Sequence, residues 1–131
     1  MPKMIHSMIR VSDEARSVEF YEKALRLAVK DRYPMDGFTL VYLRDGEGEF
    51  ELELTVNEER TKGYELGDAY GHLAVSVEDV DAEHDRLQGM GFAVTDPKAL
   101  SFEGEELARF FFLTDPDGYK IEVLRRGGRY L

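Results

Sequence analysis

The chain has no cysteine and no apolar run approaching the roughly 20 residues that a bilayer demands. The first absence excludes disulfides and thiolate metal sites and is compatible with the cytosol. The second excludes a membrane-spanning helix. The opening residues, Met1 to Val11, lack the long apolar core and small-residue cleavage site of a secretory signal, so a cytoplasmic location is expected. Positive charge is also scarce. Lysine and arginine number 17 against 27 aspartates and glutamates, a formal charge of −10. Such a surface repels nucleic acid and anionic lipid, so the expected partner is a small molecule, with no nucleic acid and no membrane involved.

What is present describes one soluble globular domain over residues 1–131, with 43% hydrophobic and 34% charged residues. Within it the order of elements reads twice. The first module, about 4–56, opens with the β-branched strand Ile5 to Val11. Ser12 and Asp13 follow as N-caps for a helix from Glu14 to Leu25, whose Val18, Tyr21 and Leu25 share a face. Phe38 to Leu43 and the strictly alternating Phe50 to Thr55 read as strands around a Gly- and Asp-rich turn.

The second module, about 70–124, repeats the order. Gly71 to Val77 is a strand, Asp79 a cap, and Val80 to Met90 a helix closed by Gly89 and Gly91. Ala108 to Thr114 and Tyr119 to Leu124 are strands joined by the turn Asp115-Pro116-Asp117-Gly118. Thr61 to Tyr70 reads as a linker, and Thr95 to Glu106 as a loop with a short strand or turn of its own. Two such modules are expected to curl around a shared concave space, since one sheet face of each would otherwise lie bare.

The repeat places like residues at like points. His6 opens the first module and His72 the second, while Glu53 and Glu122 lie in the last strands. Alternation along a strand sets His6 with Met8 and Arg10, opposite Ile9 and Val11, and Glu53 with Glu51 and Thr55, opposite Leu52 and Leu54. His72 likewise opposes Leu73, Val75 and Val77, and Glu122 opposes Ile121 and Val123. Two imidazoles and two carboxylates form a donor set suited to Ni²⁺, Co²⁺, Zn²⁺, Mn²⁺ or Fe²⁺, and poorly to Ca²⁺. The remaining histidine, His84, is surrounded by Glu83, Asp85 and Arg86 and is expected on the solvated surface.

Residues 5–11 followed by Phe20-Tyr21, then Leu52 to Asn57, Tyr64 to His72 and Asp115 to Glu122, resemble in order the motifs of glyoxalase I (lactoylglutathione lyase), a family of the vicinal oxygen chelate superfamily. The last motif is widespread in the superfamily; the four in order are specific. The resemblance implies an α+β fold of two tandem βαβββ modules forming a curled mixed sheet, paired in a homodimer with sites at the subunit interface. It implies metal ligands at His6, Glu53, His72 and Glu122, with Ni²⁺ or Co²⁺ favoured for so compact a chain and Zn²⁺ possible.

It also implies isomerisation of the hemithioacetal of methylglyoxal and glutathione to S-lactoylglutathione through an enediolate, which detoxifies methylglyoxal with glutathione as co-substrate. Glu122 would be the base and Glu53 its catalytic counterpart, with Arg10 and Asn57 holding the glutathione moiety. The chain departs from the family over Ala99 to Ala108. Where the family has a glycine-rich stretch with a basic residue, this sequence carries Glu103, Glu105 and Glu106, which disfavour an anionic ligand unless they point to solvent. Two alternatives share the fold: another vicinal oxygen chelate enzyme, such as a dioxygenase or epimerase, and a non-catalytic small-molecule-binding protein.

Overall fold

The computed structural model describes residues 1–60 and 62–131. Thr61, where the expected linker begins, lies outside the described residues. The chain divides into two compact units, Met1–Glu65 and Leu66–Leu131. Each holds its own sheet.

In the first unit β1 (His6–Val11) leads through α1 (Glu14–Leu25) to β2 (Ala28–Pro34), β3 (Phe38–Arg44) and β4 (Glu51–Asn57). The sheet order is β1-β4-β3-β2, with β1 parallel to β4 and the other pairings antiparallel. A parallel neighbour requires a long crossover, which the intervening helix and strands supply.

Asp13 caps α1 by accepting from the backbone N–H of Arg16 at 3.0 Å. The buried stripe of this helix is Ser17, Phe20, Tyr21 and Ala24, with Val18 and Leu25 half-buried beside it. The face is therefore rotated slightly from the expected one. Ser17 and Ala24 are small and fully buried, and the large rings of Phe20 and Tyr21, edge to face at 5.0 Å, supply most of the volume that this helix buries. Ile9, Val11, Val41, Leu43, Leu52 and Leu54 complete this core. Each contributes on the order of 1.5–3 kcal/mol through its burial.

The second unit repeats the scheme with β5 (Leu73–Val77), α2 (Val80–Gly89), β6 (Ala93–Val94), β7 (Lys98–Phe102), β8 (Glu105–Thr114) and β9 (Lys120–Arg125). Its order is β5-β9-β8-β6, with β7 also paired to β8 and β5 parallel to β9. Asp79 caps α2 through the N–H of Ala82 at 3.0 Å. Gly91, at φ +85°, lets the chain turn so that the Phe92 N–H returns to the Leu87 carbonyl at 3.1 Å. The Asp115 carboxylate accepts from the N–H groups of Asp117 and Tyr119 at 2.9 and 2.8 Å, closing the turn before β9.

Three strands, β2, β6 and β7, stand where the sequence offered no regular pattern. All residues of β2 and β7 are exposed, so neither shows an apolar alternation. β2 is an edge strand carrying Lys30, Asp31 and Arg32 and a register shift between Val29 and Asp31, features that protect an edge and erase its signature. β7 and β8 turn the expected Thr95–Glu106 loop into a hairpin through Glu103 (φ 50°) and Gly104 (φ 82°). Glu103, Glu105 and Glu106 are exposed, and Arg125 pairs with Glu106 at 3.2 Å.

His84 is not on the solvated surface. It is buried between Val80 and Leu87 on the inward face of α2, edge-on to Phe111 at 5.4 Å, with its Nδ1 3.1 Å from Asp85. The spacing 80, 84, 87 is a helical stripe, which the polarity of histidine concealed.

Each helix start is tied to a strand by a two-point ion pair, Glu14 to Arg32 and Asp81 to Arg109. The hydrogen bond from the guanidinium, chiefly, holds each carboxyl below its usual range. A depressed carboxylate stabilises fully above its unfolded value, about pH 4, and loses that contribution as pH falls through the folded value. The double variant Arg32→Gln/Arg109→Gln is accordingly expected to be less stable than the parent at neutral pH and to converge with it on acidification below about pH 4. Urea unfolding across that range checks this; a difference that does not change with pH would contradict it.

Candidate functional site

Strand register decides which polar side chains meet. In the first unit His6 aligns with Glu51 and Met8 with Glu53, so Glu53 stands two residues beyond the partner of His6, on the same face. His6 Nε2 lies 2.9 Å from a Glu53 carboxylate oxygen, with the two side chains 37% and 11% exposed. In the second unit Ala74 aligns with Glu122, so His72, one residue ahead of β5, stands in the same relation to Glu122. Its Nε2 lies 3.4 Å from the Glu122 carboxylate, at exposures of 41% and 18%. The two units thus build equivalent histidine–glutamate pairs. Among the described residues, no group of three or more histidine, aspartate or glutamate side chains comes together within the chain.

An aromatic ring stands directly across the sheet from each glutamate, and the sequence reading did not single out either one. Tyr42 pairs with Glu53 and Phe112 with Glu122. Each ring also meets its histidine edge to face, at 6.0 Å for His6–Tyr42 and 5.3 Å for His72–Phe112. Alternation within β3 places Tyr42 on this face, but only the pairing register sets it opposite Glu53.

The equivalence ends at the ring. Burial first, then the charge of Glu53 and a hydrogen bond to it, push the Tyr42 hydroxyl above the usual phenol range. The phenol hydroxyl is thus a potential donor across the strand pair from Glu53. Phe112 offers Glu122 no donor.

Arg10 and Asn57 repeat the diagonal relation farther along the same strands, since Arg10 aligns with Thr55 and Asn57 lies two residues beyond. They sit four residues from His6 and Glu53, a distance of about 13 Å at strand rise. Asn57 Nδ2 donates to the Tyr64 hydroxyl at 3.0 Å. The first unit thus carries a histidine–carboxylate pair at one end of a sheet face and an arginine–amide pair at the other.

In each unit an imidazole nitrogen and a carboxylate come together, and both are donors of the kind that suits a borderline divalent ion. In the neutral tautomer with its proton on Nδ1, each ring offers an Nε2 lone pair toward the side where its carboxylate lies.

The profile of the glyoxalase/bleomycin resistance protein/dioxygenase superfamily matches residues 3–123. The chain is 39% identical over 126 residues to the lactoylglutathione lyase of Haemophilus influenzae, covering 93% of this chain and 91% of that protein. The Neisseria meningitidis serogroup A lactoylglutathione lyase is 35% identical over 128 residues, 95% of this chain and 91% of that one. Among solved structures, the trypanothione-dependent glyoxalase I of Leishmania major superposes with a TM-score of 0.80 at 35% identity, covering 95% of this chain and 87% of that one. No helix among the described residues is long and apolar enough to cross a membrane. With the motifs, the doubled βαβββ order and these relatives in agreement, the chain belongs to the glyoxalase/bleomycin resistance protein/dioxygenase superfamily and, within it, to the lactoylglutathione lyase (glyoxalase I) family.

Proposed function

We propose that this protein is a cytoplasmic, homodimeric, metal-dependent glyoxalase I that isomerises the hemithioacetal of methylglyoxal and glutathione to S-lactoylglutathione, using one domain of two modules. The observation that carries the mechanism is the pair of register-equivalent histidine–glutamate half-sites, differing at the residue across the sheet. His6, Glu53, His72 and Glu122 would hold one divalent ion, Ni²⁺ or Co²⁺ by preference and Zn²⁺ as a further candidate. When bound, such an ion would supply positive charge that stabilises the enediolate and so lowers the cost of removing the carbon-bound proton.

Glu122 is the base. It takes the proton from the carbon bearing sulfur, negative charge spreads over the two oxygens as an enediolate, the proton returns to the adjacent carbon, and the hydroxyl proton passes from the first oxygen to the second. No electrons leave the substrate, so the step balances without an oxidant. The assignment to Glu122 follows the glyoxalase I resemblance, and the asymmetry at the ring supports it: Tyr42, a possible donor, stands across from Glu53, whereas Glu122 faces Phe112, which offers none. Arg10 and Asn57 would bind the peptide part of the thiol at the far end of the face.

A pair of donors is half a ligand set, and a second copy of the chain would complete it. Met4, Ile5 and Met8 are exposed around His6, an apolar strip of the kind that subunit contact covers. Light scattering is expected to give twice the 15.0 kDa of one chain. The activity itself is tested by ultraviolet detection of thioester from the preformed hemithioacetal, with metal-stripped protein reconstituted separately with Ni²⁺, Co²⁺ and Zn²⁺. Tight metal binding without thioester formation for any ion would move the assignment to another chemistry of the superfamily.

A further inference from the structure

Beyond Asn57 the chain makes a tight turn, closed by the Arg60 N–H on the Asn57 carbonyl at 3.1 Å. This brings Arg60 back beside the end of β4, since a β-turn sets its first and last α-carbons within about 7 Å. The arginine is then braced. Its Nε donates to the Lys62 carbonyl at 3.1 Å and an Nη to the Gly63 carbonyl at 3.0 Å, while Cζ stands 4.2 Å from the centroid of the Tyr64 ring. The hydroxyl of that same tyrosine accepts from Asn57. One ring thus fixes both an amide and a guanidinium.

Where Arg32, Arg86, Arg109, Arg125 and Arg126 are each paired with a carboxylate, the partners of Arg60 among the described residues are two carbonyls and a ring. Two of its five N–H groups donate to carbonyls among the described residues. In a chain of formal charge −10, an anionic substrate needs such a local cation. Bracing also removes rotamer freedom in advance, so less is lost on binding.

We infer that Arg60, positioned by Tyr64, is a substrate-binding residue that joins Asn57 in holding a carboxylate at the far end of the thiol, and so selects for a peptide-sized anionic thiol over a short one. This rests on the hemithioacetal-isomerase reading. The length of the face agrees with it. From Glu53 to Asn57 is about 13 Å, and an extended tripeptide reaches roughly 10 Å.

The test is calorimetric titration of S-methylglutathione and of its diethyl ester, in which both carboxylates are masked, into the parent protein, Arg60→Gln, Arg60→Lys and Tyr64→Phe. Thermal melts verify that each variant is folded, and kcat and KM are measured on the glutathione hemithioacetal. Arg60→Gln is expected to weaken S-methylglutathione about tenfold or more and to raise KM in step, with kcat within about twofold and the diester unaffected. Arg60→Lys recovers part of the loss, because an ammonium keeps the charge without the fork. Tyr64→Phe keeps the ring under Arg60 but frees Asn57, giving a smaller rise in KM.

Unchanged affinity in Arg60→Gln, or an equal loss for the diester, overturns the inference while the isomerase reading stands. Arg60-dependent binding by a protein that forms no thioester upholds the subsite and sinks the isomerase reading. Neither binding nor turnover in the parent overturns both.

Discussion

Glu122→Gln is expected to lower kcat for the hemithioacetal by about 10²- to 10⁴-fold, the range that a positioned general base contributes. The substitution preserves the size of the side chain and an oxygen for a divalent ion, while removing the group that accepts the proton. Metal content per subunit, read by elemental analysis, should therefore fall far less than kcat. The contrast with Glu53 makes the prediction specific. Its carboxylate is 11% exposed and has Tyr42 across the strand pair, so the proposed mechanism makes it a ligand and not the base. Tyr42→Phe, which makes the first half-site match the second, should leave the Glu122-dependent rate largely in place. Equal kcat losses in Glu53→Gln and Glu122→Gln, at equal metal content, would refute the division of roles.

His72→Ala is expected to cost at least about 100-fold in activity together with most of the bound metal. Loss of groups that merely orient a metal ligand already costs about 10- to 100-fold, and a direct ligand carries more. His72 lies outside β5, is 41% exposed and packs its ring edge-on against Phe112, so its removal takes little from the core. Thermal unfolding of the metal-stripped variant should match that of the metal-stripped parent. Chelation of the parent should abolish turnover to the same extent and be reversed by added ion. Retention of full metal content in His72→Ala would remove this residue from the ligand set.

Some of this architecture was legible from residues alone because it depends on neighbours in sequence. Asp13 and Asp79 cap their helices through N–H groups three residues on, and the alternation of β1 and β4 assigns His6 and Glu53 to the face opposite Ile9 and Leu54. Other elements left no local trace. β2 is a charged edge strand with every residue exposed, and His84 reads as polar although it fills a buried step between Val80 and Leu87. Arg60 and Tyr64 sit in what reads as a linker, where periodicity has nothing to report.

The sequence by itself determined the doubled order of strand, helix and closing strands, the helix caps, the acidic surface and the type and face of the four candidate ligands, because these follow from side-chain chemistry at fixed short spacings. Tertiary structure alone decided that each histidine meets its glutamate on the diagonal of a parallel strand pair. It also decided that Tyr42 faces Glu53 while Phe112 faces Glu122, and that one tyrosine ring joins Asn57 to Arg60. Pairing register couples residues far apart in the chain, and a shift of one residue would send the strand side chains among these to the other face.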